Sequence, residues 1–307
     1  MKNRIVVVFT AVILFFVQSA AFSAEFSTFK NALDGGGLHA KWGDGLTDVL
    51  IHGEIVHGDY EKFQLFLLTS DNLWSYLNGV VLSSPGGDVV EALKFANLFE
   101  KSYADVWVIG GSEMAVSGCS SSCFIMYAGG VERHITAGEL GVHRISLREL
   151  QPDIQKAKVL ISPLATDIST YLSQQGIPRL IIDKMNETPA SDIYKIDHWT
   201  LNDMGLGQAM KYNPIFIDLV DKTCGRNPDP FPGKFTNERP ALDNHTTQLL
   251  SEWVKCKEKL KNKNRGRFLG EEVAALKIGK PTIIFPKNSV SEVKQIFNAR
   301  FGDKWPW

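Results

Sequence analysis

Gly79-Val80-Val81-Leu82-Ser83-Ser84-Pro85-Gly86-Gly87-Asp88 is an apolar run that halts on a glycine turn, and the period of the chain changes immediately after it. Up to Ser83 the run reads as a buried strand. From Asp88 onward, Val89, Ala92, Leu93, Ala96 and Phe99 fall on one face of a helix, with Asp88 placed as its N-cap. Val106-Trp107-Val108-Ile109 is the next strand, so the stretch is a strand, turn, helix, strand unit with a right-handed crossover expected. A second turn follows, Gly118-Cys119-Ser120-Ser121-Ser122-Cys123, ahead of the apolar run Phe124-Ile125-Met126-Tyr127-Ala128.

Both turns have residues suited to chemistry. Pro85 has no N–H, whereas Gly86 and Gly87 carry no side chain to obstruct a substrate and can present their N–H groups at a helix start. Such a loop stabilises an oxyanion; a plain tight turn has the same composition. A run of hydroxyl residues between a strand and a helix is where a nucleophile sits on a sharp bend, although Ser and Cys also pack wherever a chain turns tightly. The pairing matters more than either turn, because adjacent parallel strands bring their C-terminal loops together.

Downstream, Arg133-His134-Ile135 and Leu140-Gly141-Val142-His143 read as two short strands joined by Thr136-Ala137-Gly138-Glu139, with His143 closing the second on the sheet of Ser121. A histidine there can take a serine proton. His39, His52, His57, His134, His198 and His245 are read as surface or hydrogen-bonded core residues. Residues 48–55 read as an opening strand and 60–68 as a helix. A further helix starts at Ser162-Pro163, carries Leu164, Ala165, Ile168, Tyr171 and Leu172 on one face and ends at Gly176. After a short helix at 178–185 comes the loop Thr188-Pro189-Ala190-Ser191-Asp192-Ile193-Tyr194. Its Asp192 either orients His143 through the second ring nitrogen or simply caps and solvates.

Lys2 and Arg4, an apolar run from Ile5 to Val17, and the small residues Ser19, Ala20, Ala21, Ser23 and Ala24 have the layout of a secretory signal peptide cleaved between Ala21 and Ala24. Export makes the four cysteines readable as disulfides. Of three pairings, Cys119 with Cys123 and Cys224 with Cys256 is favoured, because each closes within its own region. Zinc is disfavoured, since no His pair stands at ligand spacing near the CxxxC. A net charge of −1 gives no reason to expect nucleic acid as a partner. Residues 213–240, rich in Pro, Gly, Asn and Asp, read as loop. Leu249, Trp253, Cys256 and Leu260 then mark a helix in which Lys255, Lys257, Lys259, Lys261, Lys263, Arg265 and Arg267 form either a solvated face or, across 255–267, a contact with a membrane surface or envelope. Residues 281–285 read as a strand and 290–301 as a closing helix.

Taken in order, Gly53-Glu54-Ile55, Ser84-Pro85-Gly86-Gly87, the serine turn, Leu140-Gly141-Val142-His143-Arg144 and Thr188-Pro189-Ala190-Ser191-Asp192-Ile193-Tyr194 resemble the periplasmic Clp-protease-like family of the ClpP/crotonase superfamily, over about half the chain. The resemblance implies an α/β fold: a ClpP/crotonase-like spiral of βαβ units at 25–210, following the signal peptide at 1–24. A C-terminal α/β or mostly helical extension occupies 211–307. It implies Ser121 as nucleophile, His143 as base, and Gly87 or Gly86 together with Ser122 as oxyanion donors. The acid falls on Asp192 by forward spacing, on Tyr194 by backward alignment, with Asp197 a further choice. It also implies a polypeptide substrate, a homo-oligomer and no metal or cofactor. Three functions follow: a periplasmic or secreted serine peptidase, a non-catalytic peptide- or glycan-binding module on the same fold, or acyl-CoA chemistry, which suits the glycine turn but not an exported protein.

Overall fold

A computed structural model describes residues 23–28, 49–69, 77, 79–109, 118–136, 139–145, 154–230 and 240–277. The signal-peptide segment before Ser23, the strand expected at 281–285 and the helix at 290–301 lie outside the described residues. In chain order the elements are β1 (Glu25–Thr28), β2 (Val49–His52), α1 (Asp59–Thr69), β3 (Gly79–Ser83), α2 (Val89–Lys101), β4 (Asp105–Ile109), β5 (Gly118–Ser120) and α3 (Ser122–Ala128). They continue as β6 (Glu132–Thr136), β7 (Glu139–Val142), α4 (Ile154–Gln174), α5 (Arg179–Glu187), β8 (Tyr194–Ile196), α6 (His198–Asp203), α7 (Gly207–Lys211), α8 (Pro214–Cys224) and α9 (Asn244–Lys277).

Two sheets carry the site. The larger has the order β1-β2-β3-β4-β6, parallel except for β1, and the smaller has the order β5-β7-β8. Every residue of β3 is buried, as befits a parallel strand covered on both faces. The helical period after Asp88 appears as α2: the Asp88 carboxylate accepts from the N–H groups of Val90 and Glu91 at 2.8 and 3.0 Å, and Ala92, Phe95, Ala96 and Phe99 face the core. Phe95 and Phe99 join Phe63, Tyr60 and Phe26 in an aromatic cluster with ring centroids 5.2–6.5 Å apart. Each such ring stabilises the fold by about 1.5–3 kcal/mol on burial. At the start of the described chain, the buried Asp59 accepts from Ser23 Oγ (2.6 Å), Ala24 N–H (3.1 Å) and Val56 N–H (2.8 Å).

The structure departs from the sequence reading at four places. The two short strands around residues 133 and 142 enter different sheets: β6 pairs with β4, whereas β7 pairs with β5. The helix expected to begin at Pro163 begins at Ile154, with Pro163 inside it. Part of the loop expected at 213–240 is α8. Asn213 caps this helix by accepting from Ile215 and Phe216 N–H groups at 2.9 and 3.1 Å, and Pro214 opens it.

The fourth departure is the basic segment. Lys257, Lys261 and Arg265, spaced four apart on α9, point into the protein, while Lys255, Lys259, Lys263 and Arg267 are exposed. Lys257 Nζ lies 2.6 Å from Glu132 and Lys261 Nζ 2.6 Å from Asp105, while Arg265 donates to the carbonyls of Ser102 and Tyr103 at 3.0 and 2.9 Å. Asp105 and Glu132 open β4 and β6, so α9 is clamped to the strand ends opposite those that carry the two turns. The Cys224–Cys256 disulfide joins α8 to α9, at a Cα separation of 5.8 Å.

Candidate active site

Ser121 stands between β5 and α3 at φ 57° and ψ −126°, a left-handed conformation unusual for a side-chain-bearing residue. Such a bend costs about 1–3 kcal/mol and persists only where its surroundings hold it. Here the Ser121 N–H donates to Gly141 O (2.9 Å), Ser120 N–H to Ser84 O (3.0 Å) and Phe124 N–H to Ser121 O (3.0 Å). A Cys119–Cys123 disulfide bridges the bend, with a Cα separation of 5.2 Å. A sharp strand-to-helix bend of this kind is a geometry able to present a nucleophile. Its neighbours are placed differently. Ser120 lies on β5 with its side chain against Gly141, and Ser122 is 2% exposed, its hydroxyl without a hydrogen-bond partner among the described residues.

The glycine turn lies directly against this elbow. Gly86 and Gly87 have φ of 100° and 138°, and a Cβ added to Gly86 would stand 2.6 Å from Ser121 Cβ, 2.6 Å from Ser120 O and 3.0 Å from Ser122 N. Gly86 O accepts from Ile55 N–H (2.8 Å), and Ile55 O accepts from Asp88 N–H (2.7 Å), pinning the turn to the residues after β2. The Gly86 N–H donates to the buried Ser84 Oγ at 3.1 Å. That N–H is therefore already engaged by a side chain. The N–H groups of Gly87 and Ser122 have no partner among the described residues. A serine two residues before a glycine is a familiar side-chain-to-backbone turn, and Ser84 makes it here.

His143 directly follows β7, which runs parallel to β5 with Ser120 opposite Gly141. Ser121 and His143 thus leave neighbouring strands at the same end. They make no hydrogen bond to each other. His143 Nδ1 lies 2.9 Å from Arg144 O, and the preceding peptide is anchored by the Arg144 N–H donating to Thr188 O at 3.0 Å. With the proton on Nδ1, the contact orients the ring and leaves Nε2 as an acceptor.

The structure does not bring Asp192 to His143. Asp192 is exposed, its N–H donating to Pro189 O (3.0 Å), and its carboxylate makes no bond to the imidazole. Tyr194 lies in β8 opposite Val142, and Asp197 accepts from Thr200 N–H (2.7 Å) as a helix cap. Spacing counted along the loop had no access to where its tight Pro189 turn directs the acid.

A second polar cluster lies at the opposite strand ends. Asp105, Glu132 and His134 converge within 4.8 Å, a grouping able to hold a cation. That place is taken by ammonium groups: Lys261 Nζ stands 2.6 Å from Asp105, 3.6 Å from Glu132 and 2.9 Å from Glu258. Burial opposes ionisation of both carboxyls. In Glu132 the attraction of Lys257 and Lys261 wins and holds the group well below the ordinary carboxylate range, whereas in Asp105 burial wins and pushes the carboxyl up to about 6. Burial also drives His134, stacked on Trp107 with ring centroids 3.7 Å apart, down to about 3, so its ring is neutral at pH 7.

Fold and site together define a mixed α/β chain with a strand-to-helix serine elbow facing a glycine turn. No family model matches the chain, and no curated protein does. Among solved structures it is similar to ClpP1 from Listeria monocytogenes, at 17% identity and a TM-score of 0.39 over 52% of this chain and 87% of that one. It is also similar to a mutant of the 1510-N membrane-bound stomatin-specific protease, at 14% identity and a TM-score of 0.39 over 62% and 88% of the two chains. Another mutant of that protease, in complex with a substrate peptide, matches at 11% identity and a TM-score of 0.39 over 67% and 95%. These likenesses assign no chemistry to this chain.

Proposed function

We propose that this chain is an exported serine peptidase. Ser121 attacks a peptide carbonyl, His143 Nε2 takes the hydroxyl proton and returns it to the leaving amine, and the N–H groups of Gly87 and Ser122 receive the oxyanion. The observation that carries this reading is the left-handed elbow at Ser121, pressed against a glycine turn so close that Gly86 has no room for a Cβ. The Arg144 carbonyl stands in for the triad acid by orienting His143. The domain is the ClpP/crotonase-like unit at 25–210, with 211–307 as its extension, and a homo-oligomer is the expected assembly. Two formed disulfides suit an oxidising compartment such as the periplasm or the exterior, and among the described residues no helix is long and apolar enough to cross a membrane.

A fluorophosphonate probe is expected to label Ser121, with labelling abolished in both Ser121→Ala and His143→Ala. Asp192→Ala is expected to change the labelling rate by less than about threefold, where loss of a working triad acid costs about 10⁴-fold. Rate measurements on these variants check both points, and a large loss in Asp192→Ala would return the acid to the mechanism. The missing hydrogen bond between Ser121 and His143 favours a second reading, a peptide- or glycan-binding module on the same fold. That reading predicts an intact fold and no labelling at any pH.

A further inference from the structure

The two disulfides stand in different relations to the fold. Cys224–Cys256 spans 32 positions and ties α8 to α9, remote from the serine elbow. Cys119–Cys123 spans four positions and encloses Ser120, Ser121 and Ser122. In the chain-entropy account, stabilisation grows with the logarithm of the closed loop, so the wide bridge contributes more to global stability than the narrow one. A bridge this short must be judged by what it does locally.

Locally it clamps the end of β5 to the first turn of α3 across a residue in a conformation that side chains avoid. The backbone bonds at the elbow each tie it to a neighbour: Ser121 N–H to Gly141 O on β7, and Ser120 N–H to Ser84 O before the glycine turn. The disulfide ties strand end to helix start directly. Both cysteines are fully buried, so the bridge is a fixture shielded from solvent thiols, not a switch. Positional tolerance is small: the Ser121 Cβ already fills the space that a side chain on Gly86 would need, and Ser122 N stands beside the same spot.

We infer that Cys119 and Cys123 are positioning residues for Ser121, their disulfide holding the hydroxyl and the Ser122 N–H in register with the glycine turn. This inference rests on the peptidase reading, in which those groups act on one substrate carbonyl. A displacement of order 1 Å costs about 10²-fold in rate, so loss of the brace acts on reactivity before it acts on the fold.

The test compares two full-length variants, Cys119→Ala/Cys123→Ala and Cys224→Ser/Cys256→Ser, by three readouts: the fluorophosphonate labelling rate at Ser121, Tm, and hydrogen exchange of the Ser121 amide. The narrow-bridge variant is expected to label at least about tenfold more slowly, with faster Ser121 exchange and the smaller loss of Tm. The wide-bridge variant is expected to label within about threefold of the parent, with the larger loss of Tm. Parental labelling by the narrow-bridge variant, or equal labelling losses in both variants, overturns the inference. If the alanine pair does not fold, Cys119→Val/Cys123→Ala restores buried volume and is read in the same way. An unlabelled parent would sink the peptidase reading alone, because the amide needs no reaction to report. Faster Ser121 exchange confined to the narrow-bridge variant would then still support the brace, and unchanged exchange would overturn it.

Discussion

Alanine at Gly86 is expected to reduce Ser121 labelling by about 10³-fold or more while the large sheet stays folded. Two costs coincide at this residue. A side chain at φ 100° is strained wherever it stands, and this one would meet Ser121 Cβ and the Ser120 carbonyl oxygen, each at 2.6 Å. One neighbour is backbone and the other is the nucleophile's own stem, so relief requires the two turns to separate. Separation misplaces the hydroxyl and moves the Gly87 N–H away from the Ser122 N–H. Misplacement by about 1 Å costs about 10²-fold, and removal of one oxyanion donor costs about 10²–10³-fold. Gly58→Ala is the control. Its φ is 90° but nothing lies within 4 Å of the added Cβ, so it should lose only about 1 kcal/mol or somewhat more and label at the parental rate. Labelling kinetics beside thermal melts separate the two, and a Gly86→Ala protein that labels normally would show that the turns do not meet.

Removal of Lys261 is expected to give the largest loss of stability. Its ammonium is 2% exposed and serves Asp105, Glu132 and Glu258 together. Lys261→Ala leaves the largely enclosed Asp105 carboxylate without its ammonium partner, while Glu132 keeps Lys257; breaking an enclosed pair in this way typically costs about 3–5 kcal/mol. Lys222→Ala, at an ion pair of similar length to Asp218 but 71% and 62% exposed, should cost less than about 1 kcal/mol. The Lys261→Ala deficit should also depend on pH. Burial already holds Asp105 up to about 6, and without Lys261 it rises further. Above pH 6 the folded variant therefore binds more protons than the folded parent, so lowering the pH from 8 towards 6 favours the variant and narrows the gap. Denaturant melts at a series of pH values test this, and a gap that widens on acidification contradicts the assignment.

Much of the architecture was legible from local pattern. The switch from an apolar run to helical spacing at Asp88 marked β3 and α2, and Asp88 itself is the cap. The serine run between two apolar segments marked the elbow. The disulfide pairing followed from proximity along the chain. By contrast, α8 was hidden by composition, since the Pro and Asn that suggested a loop are its first residue and its cap. The seven cations at 255–267 looked equivalent because periodicity shows only that they share a helix. Which three turn inward depends on Asp105 and Glu132, more than a hundred positions away.

Side-chain period, capping residues and glycine placement act over a few positions, so the strands, the helix after the glycine turn and the location of the serine bend could be read in one dimension. Which of three adjacent hydroxyls stands on the bend, which glycine N–H is left unpaired, and that no carboxylate among the described residues reaches His143 could not. Apart from the local bond of Ser84 to the Gly86 N–H, those depend on distances across strand neighbours, between residues about 20 or more positions apart that meet only when β5 docks between the glycine turn and β7.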